Sequence, residues 1–316
     1  MTYAAYVTAL GPPEAIQWAE LPDPRPTRQQ VLVRTLAVAV NHVDTYVRSG
    51  RWQTEVRWPL VVGRDLVGEV VAAPAGSAYG VGQHVWTSSL GYDGRPGATA
   101  ELVAVDLDRC YPLPDELPAV EAVATFHGAT TALLALRRCR LAPGEHVFVH
   151  GAAGGVGAAV VQVALDAGAR VTATARRPEQ LHWLAGLGQR VSAVDTSEAL
   201  PSPREVDVHW DCTGGIPLDR AVAALNRLGR VVVTARRTHD PLDTGALYLR
   251  DASVVGFVLS HATTADLAWA AAQVNRLLAA GLHMPFVQTL RLSEAAEAHR
   301  LLEAHRTHSK LVLTAP

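Results

Sequence analysis

The stretch His150-Gly151-Ala152-Ala153-Gly154-Gly155-Val156-Gly157 decides the fold of the second half of this 316-residue chain. An apolar run over 146–149 precedes it and another over 158–165 follows it, which predicts a strand, a glycine turn and a helix. Backbone N–H groups and the positive end of the helix dipole converge at such a turn, where small residues leave room for a pyrophosphate. The motif therefore predicts a dinucleotide site and redox chemistry. A tight turn without a ligand is the alternative, because the spacing is not a strict G-x-G-x-x-G.

Short apolar strands alternate with helices from about residue 120 onward. Gly168 and Gly229 stand where glycines commonly end helices. This alternation predicts an α/β fold with a doubly wound, buried parallel sheet of six strands. The predicted strands are 147–150, 171–175, 191–194, 206–212, 231–235 and 254–259, and the predicted helices are 156–167, 178–187 and 218–228.

The first 120 residues have a different, β-rich pattern, and the last part of the chain alternates helices with strands. Glycine and proline turns separate apolar strands at 31–40, 65–71, 81–86 and 99–105, with one short helix over 42–48 that ends at Gly50. The tail predicts a helix over 265–280, a strand over 286–292, a helix that Ser293 caps, and a strand over 311–314. We therefore expect a β-rich domain from 1–120 together with 261–316, and a nucleotide-binding domain over 121–260.

Composition excludes several classes of function. Apolar residues make up 49% of the chain and charged residues 18%, so a large core is available, and the net charge of −2 gives no reason to expect nucleic acid or membrane surfaces as partners. No uninterrupted apolar run reaches the roughly 18 residues of a membrane helix, and no signal peptide is evident. Cys110, Cys139 and Cys212 lie too far apart for a disulfide framework, which favours a reducing cytoplasm.

The end of the second predicted strand discriminates between the two nicotinamide cofactors. NAD sites usually have a carboxylate there, which accepts hydrogen bonds from the ribose hydroxyls. This chain has Arg176 and Arg177 instead, and two guanidinium groups can pair with the 2′-phosphate of NADPH. The alternative is that both arginines merely solvate the start of the next helix.

Three segments resemble the quinone oxidoreductase (ζ-crystallin-like) branch of the medium-chain dehydrogenase/reductase superfamily. Residues 41–50 are similar to that branch's Asn-x-x-Asp-x-Tyr-x-Arg-x-Gly, and residues 63–70 and 144–157 also match in the right order. The resemblance implies a GroES-like catalytic domain plus a six-stranded Rossmann domain. It also implies NADPH as cofactor and a small-molecule substrate, and a homodimer joined through the edge strand over 253–259.

Zinc alcohol dehydrogenases of the same superfamily offer a contrast. They place metal ligands where this chain has Asn41 and Arg64, and they carry a four-cysteine loop that is missing between Trp86 and Glu101. The third ligand position has no cysteine, unless His127 serves. We therefore expect no metal, with His42 and His127 as polar lining or surface groups. Oxidation of an alcohol needs a Lewis acid to stabilise the alkoxide, whereas a quinone or a conjugated carbonyl is already electrophilic. A site without a metal therefore suits the reduction of these acceptors.

The resemblance implies roles for the 41–50 segment. Asn41 would contact the nicotinamide-ribose side of the cofactor or a substrate oxygen, and Asp44 would organise the short helix. Tyr46 is the candidate donor to the substrate carbonyl, with packing under the cofactor as the alternative. Trp52 would wall the substrate cleft or simply pack.

Further residues are expected to bind the cofactor. Lys310 resembles a family lysine near the phosphates, or is a solvated surface charge, and Arg236 and Arg237 add positive charge after the fifth strand or are merely exposed. The expected contacts, at the pyrophosphate turn and at strand ends, are Thr131, Ala152, Ala153, Gly154, Gly155, Val156, Gly157, Arg176, Arg177, Thr213, Thr234, Phe257, Leu259 and Lys310.

The leading hypothesis is an NADPH-dependent quinone reductase, with hydride transfer in a metal-free cleft between the domains. The alternatives are a reductase of α,β-unsaturated carbonyls, such as enals, enones or enoyl thioesters, and a protein that binds NADPH with little turnover.

Overall fold

The structure, a computed structural model, describes residues 1–199, 203–235 and 240–315. It divides into two compact units. The first comprises Met1–His127 and Ala262–Pro316, and the second comprises Gly128–His261. Arg236 and Arg237 lie outside the described residues.

The strands are β1 (Thr2–Val7), β2 (Gln17–Leu21), β3 (Gln30–Ala39), β4 (Leu60–Val61), β5 (Asp65–Ala72), β6 (His84–Thr87), β7 (Leu102–Asp106), β8 (Tyr111–Pro112), β9 (His146–His150), β10 (Arg170–Ala175), β11 (Val191–Asp195), β12 (Val206–Asp211), β13 (Leu225–Val233), β14 (Ser253–Gly256), β15 (Val287–Arg291) and β16 (Lys310–Thr314). The α-helices are α1 (His42–Ser49), α2 (Ala119–Arg138), α3 (Gly157–Asp166), α4 (Pro178–Gly186), α5 (Leu218–Ala223), α6 (Thr244–Leu249), α7 (Thr264–Ala279) and α8 (Ala295–Glu303). Single 3₁₀ turns occupy Pro13–Ala15, Leu107–Arg109, Leu259–His261 and Leu292–Glu294.

The first unit is the predicted β-rich GroES-like domain. Its larger sheet has the order β15-β16-β3-β5-β6-β8, and its smaller sheet has the order β2-β1-β4. Strand β3 organises the larger sheet because its first half pairs with β7 and its second half with β16, while β5 lies along its other edge with an irregular register between Thr35 and Ala37. Its alternating side chains, such as Val31 and Val33, are buried in the core of the unit.

The second unit is the predicted doubly wound domain. Its six parallel strands have the order β11-β10-β9-β12-β13-β14, in which the chain winds outward in both directions from β9. This is the strand order of dinucleotide-binding folds, and it confirms the predicted fold class. Ligands of such sheets bind at the carboxyl ends of the strands, on either side of the point where the order reverses.

Two local predictions are wrong. The helix expected over 218–228 ends at Ala223, and Gly229 lies inside β13 instead of ending a helix. A side chain at Gly229 would meet Leu225 Cβ at 2.8 Å, so the close turn within the strand accounts for this glycine. Ser293 does not cap a helix, because it lies within a 3₁₀ turn and α8 begins only at Ala295. Gly168, with φ 86°, does follow α3 as predicted.

Helix α2 has the length and apolar composition of a membrane span. However, 78% of its apolar window is buried inside the protein, as in a core helix. Its last turn brings Cys139 into the core as well, where burial raises the pKa of the thiol.

Candidate functional site

The glycine turn between β9 and α3 is built for close backbone approach. Gly151 has φ 74°, and a Cβ on Gly157 would meet the Gly151 carbonyl oxygen at 2.2 Å, so neither position accommodates a side chain. Ala152 N donates to Thr174 O at 2.9 Å, which fixes the turn to β10. Over the described part of the chain, the amides of Gly155 and Val156 have no backbone acceptor. The turn therefore allows a ligand to approach the backbone closely, and its role at a pyrophosphate stays a prediction.

Helix α2 packs directly on this turn. A Cβ on Gly128 would lie 2.1 Å from the Gly155 carbonyl oxygen, so only glycine allows the helix to come this close. One turn further, Thr131 is buried, and its hydroxyl has no hydrogen-bond partner among the described residues. A buried hydroxyl without a partner is costly, and a bound ligand would satisfy it. Gly128 was not singled out from the sequence, although a glycine inside an apolar helix was the available signal.

The carboxylate of Asp211 organises the next loop at the carboxyl end of β12. It accepts hydrogen bonds from the amides of Thr213 at 2.8 Å and Ile216 at 2.9 Å. Burial alone would raise the pKa of Asp211, but these donors lower it below its usual value. The Thr213 hydroxyl also donates to Asp211, so this predicted cofactor contact already serves the loop. Asp211 was not expected from the sequence, although an acid at a strand end, two residues before Thr213-Gly214, was the available signal.

The two predicted phosphate-binding arginines differ in their surroundings. Arg177 forms an ion pair of 3.8 Å with Glu179, whereas exposed Arg176 has no ion pair over the described residues. Burial lowers the pKa of His150, and the Arg176 charge lowers it further against the opposing charge of Asp211. The Arg176 guanidinium is therefore close enough to the end of β9 to act electrostatically there.

The remaining predicted contacts of the second unit lie near the ends of β13 and β14. Thr234 accepts a hydrogen bond of 3.1 Å from Trp210 Nε1, and Phe257 is buried with the Arg138 guanidinium 5.7 Å from its ring centre. Leu259 is buried as well. Their roles toward a cofactor stay predictions.

In the first unit, three neighbouring strands bring polar side chains together at one edge of the sheet. Asn41 follows β3, Asp65 begins β5 opposite Ala39, and Lys310 begins β16 beside Val40. These residues are far apart in sequence, and the antiparallel register alone makes them neighbours.

The three side chains form one hydrogen-bonded network. Asn41 Nδ2 donates to Asp65 Oδ2 at 2.8 Å, and Lys310 Nζ donates to Val40 O at 2.9 Å and to Asn41 Oδ1. Burial would raise the pKa of Asp65, but the hydrogen bond and charge of His127, with the Lys310 ammonium, hold it at about 2. Burial lowers the pKa of Lys310 against the charges of the nearby carboxylates. The predicted place of Lys310 at the cofactor phosphates stays a prediction, and its hydrogen-bond partners lie in this network.

Helix α1 begins at the network. The Asn41 amide donates to Asp44 Oδ2 at 2.7 Å, which fits the predicted organising role of Asp44. Burial and the Asp65 charge raise the pKa of Asp44. Tyr46, on the same helix, is half-buried, with the Arg51 guanidinium 4.7 Å from its ring centre. Trp52 packs against the core of the unit, in line with its packing interpretation.

Arg64 introduces a second buried cation. Only 2% of its surface is exposed, and neither terminal guanidinium nitrogen has a hydrogen-bond partner among the described residues. Burial lowers the pKa of Arg64, and the charges of Asp44 and Asp65 oppose this effect. A small cavity lined by Asp44, Gly63, Arg64 and Gly91 lies beside it.

These residues do not fit a catalytic zinc ion. Asn41 is engaged by Lys310 and Asp65, and Arg64 brings a positive charge to the second ligand position. Throughout the described ranges, no group of three or more His, Cys, Asp or Glu side chains is arranged to hold a metal.

Two family models match the chain. The alcohol dehydrogenase GroES-like domain matches residues 27–115, and the zinc-binding dehydrogenase domain matches residues 155–275. The first match lies within the first unit. The second match lies within the second unit, apart from its C-terminal end, which runs into α7 of the first unit.

Individual relatives agree with these models. Human quinone oxidoreductase is 27% identical over 322 residues, covering 98% of this chain and 97% of that protein. Mouse prostaglandin reductase-3 is 31% identical over 262 residues, covering 77% of this chain and 67% of that protein. A mycobacterial structure described as complexed with NADPH has a TM-score of 0.84 and 26% identity, covering 99% of this chain and 100% of that one.

Proposed function

We propose a function from the premise that this chain belongs to the medium-chain dehydrogenase/reductase superfamily and is an oxidoreductase. Its reaction is the NADPH-dependent reduction of quinones, without a metal ion. The observation that carries this proposal is the network of Asn41, Asp65 and Lys310, with Arg64 beside it, where zinc relatives bind their metal.

The glycine turn and Arg176 support NADPH as the cofactor. When bound, NADPH supplies a hydride. The amides of Gly155 and Val156 would hold the pyrophosphate, and Arg176, whose guanidinium is not taken by an ion pair over the described residues, would pair with the 2′-phosphate. The Thr131 hydroxyl would form a hydrogen bond with the nicotinamide end of the cofactor, and this bond would give its buried oxygen a partner.

The first unit supplies the groups that act on the acceptor. Asn41 is held by Asp65 and Lys310, so its side chain is fixed before any ligand arrives. Tyr46 would donate a hydrogen bond to the carbonyl oxygen of the acceptor, whose charge grows during hydride transfer. A quinone is already electrophilic, so hydrogen-bond donors of this kind are sufficient to stabilise the charge that develops on its oxygen.

A second candidate activity is the reduction of α,β-unsaturated carbonyl compounds. The similarity to a protein named prostaglandin reductase-3 favours it, as does a metal-free donor set. It requires the same cofactor and differs only in the acceptor. Binding of NADPH without efficient turnover is a further outcome of the test.

The experiment follows NADPH absorbance at about 340 nm with 9,10-phenanthrenequinone, 1,4-benzoquinone and 2-hexenal, in buffer with a chelator. Oxidation of NADPH with the quinones supports the proposal, and oxidation with 2-hexenal alone favours the second activity. Chelator-sensitive activity on simple alcohols would contradict the metal-free reaction. Tight NADPH binding with no acceptor reduced would leave only a binding protein.

Arg176→Asp tests the cofactor preference, with Arg177→Asp as its matched control. The two residues are adjacent and exposed, but only Arg177 has a carboxylate partner in the described chain. We expect Arg176→Asp to weaken NADPH binding about 10-fold to 100-fold, the loss of a charge-assisted pair, and to leave NADH binding unchanged. Equal losses in both variants, or a wild-type preference for NADH, would contradict this assignment.

We further propose that the protein is a cytoplasmic homodimer joined through β14, which is the last strand of the six-stranded sheet.

A further inference from the structure

His127 lies against the same carboxylate oxygen that holds Asn41. Its Nδ1 is 3.4 Å from Asp65 Oδ2, and Asn41 Nδ2 is 2.8 Å from that oxygen. The Nδ1 atom is buried and has no closer acceptor among the described residues, whereas 18% of the side chain stays exposed. The imidazole therefore turns one nitrogen to a buried carboxylate and leaves Nε2 open to a ligand.

Asp65 is suited to hold this ring in one orientation. Its carboxyl group is completely buried, and it receives donors from Asn41 and, at 3.4 Å, from the Ser89 amide. The positive charges around it hold its pKa at about 2, so it is ionised throughout the neutral range. An ionised carboxylate at Nδ1 selects the Nδ1–H tautomer and stabilises the imidazolium.

Other charged groups surround the pair. Lys310, from β16, acts on Asp65, and His42, from α1, interacts electrostatically with His127 and Lys310. Asp44 is the remaining carboxylate near Asp65. His42 is exposed at the start of α1, but desolvation together with the charges of Lys310, His305 and His127 lowers its pKa to about 4, so it is neutral at pH 7 and adds no competing charge.

We infer that His127 is the proton donor of the reduction and that Asp65 positions it, an inference that rests on the proposed function. Bound NADPH would supply a hydride, which would bond to the conjugated carbonyl system of the acceptor and leave the electron pair of the carbonyl π bond on oxygen. The Nε2–H bond of the protonated His127 ring would break as an O–H bond forms on that oxygen. The acceptor would thereby be reduced by two electrons, NADP⁺ would remain, and His127 would take up a proton from bulk solvent. Tyr46 in this scheme only hydrogen-bonds the oxygen.

A second histidine offers a matched control. His84 Nδ1 is 3.7 Å from Asp115 Oδ1, in the same unit, but the side chains of this pair are 37% and 91% exposed. It reproduces the contact between histidine and aspartate without the buried carboxylate or the network. We compare His127→Gln with His84→Gln, and with Asp65→Asn where that variant folds.

The kinetic test measures kcat with a quinone across pH, together with NADPH affinity. A donor must be protonated, so wild-type kcat should fall with rising pH as the donor group loses its proton. We expect His127→Gln to lower kcat about 10²-fold to 10⁴-fold, to lose this pH dependence and to keep its NADPH affinity. His84→Gln keeps both the rate and the profile. Retention of the pH dependence in His127→Gln, or an equal loss in both variants, would overturn the inference.

A spectroscopic test uses the protein without cofactor or acceptor. Two-dimensional ¹⁵N NMR of the histidine rings, with His127 assigned by the signal missing in His127→Gln, reports the tautomer. We expect the Nδ1–H form when the ring is neutral, and a ring protonated at Nε2 alone would overturn the inference. If the wild type reduces no acceptor, the proposed function fails together with the donor role. If it turns over while His127→Gln keeps the wild-type profile, only the donor role fails.

Discussion

Substituting Gly128 by alanine tests whether helix α2 supports the glycine turn between β9 and α3. Inside a helix, replacing glycine by alanine usually stabilises a protein by about 0.5–1 kcal/mol, because glycine loses more backbone entropy on folding. At Gly128 the added methyl group would lie 2.1 Å from the Gly155 carbonyl oxygen and 3.2 Å from Ala159 Cβ. The first atom belongs to the backbone, so the turn or the helix must shift.

The change in the free energy of unfolding follows from two opposing contributions, the gain in helix propensity and the steric cost of the added methyl group. Overpacking of a tight contact costs about 1–3 kcal/mol, which exceeds the gain in helix propensity. Gly128→Ala should therefore be destabilising by up to about 2 kcal/mol. A shift of the Gly155 peptide also moves an amide of the turn, and each 1.4 kcal/mol lost there weakens NADPH binding about 10-fold.

Gly186→Ala is the matched control. Gly186 is also helical, at the end of α4, and its added methyl group would meet nothing within 4 Å. Urea denaturation and fluorescence titration with NADPH would compare both variants with the wild type. We expect Gly186→Ala to be neutral or stabilising by up to about 1 kcal/mol, with unchanged NADPH affinity. If Gly128→Ala is as stable as Gly186→Ala and binds NADPH equally well, α2 does not support the turn.

Three further predictions concern stability and assembly. His299 is buried, and its burial, with the charge of Arg48, lowers its pKa from 6.5 to about 3. Its contribution to the free energy of unfolding is therefore complete above pH 6.5 and is lost as the pH falls toward 3. Urea denaturation at pH 5 should show a loss of about 2 kcal/mol that is absent in His299→Leu. Arg230 donates two hydrogen bonds of 2.8 and 2.7 Å to Glu145 in a half-buried setting, so Arg230→Met should lower the free energy of unfolding by about 2–3 kcal/mol. Arg227→Met removes a single exposed ion pair and should lower it by at most about 1 kcal/mol. Equal losses in the two variants would contradict the role of burial. Sedimentation equilibrium should give twice the chain mass of 33.7 kDa, and a single-chain mass at every concentration would contradict the dimer.

The doubly wound sheet could be predicted because its signals are local. Each strand of the second unit is a short apolar run next to a helix, and the glycine turn marks where the first helix begins. The error after α5 has a physical cause. Leu225 and Leu228 suit an apolar helix face as well as an irregular strand. The pairing of Leu225 with Val206 and of Arg230 with Val208 decides for the strand. Sequence periodicity alone does not contain that pairing.

The network of the first unit could be predicted only in part. Asn41 and Asp44 were found because they share one short motif with Tyr46. The partners of Asn41 were not found, since Asp65 and Lys310 come from other strands and meet it only through sheet register. The sequence offers His127 only as a metal ligand, a polar lining group or a surface group, because nothing near it in sequence indicates a carboxylate.

The charges of this network oppose the binding of a metal ion. Arg64 and Lys310 lie with Asp44 and Asp65 within one buried region. A divalent ion placed there would face two fixed cations in surroundings that screen charge poorly, and burying that excess charge is costly. The same charges keep Asp65 ionised beside His127. Under the proposed function, the cations that stand where zinc relatives bind their metal also keep a carboxylate charged beside the histidine that we propose as the proton donor.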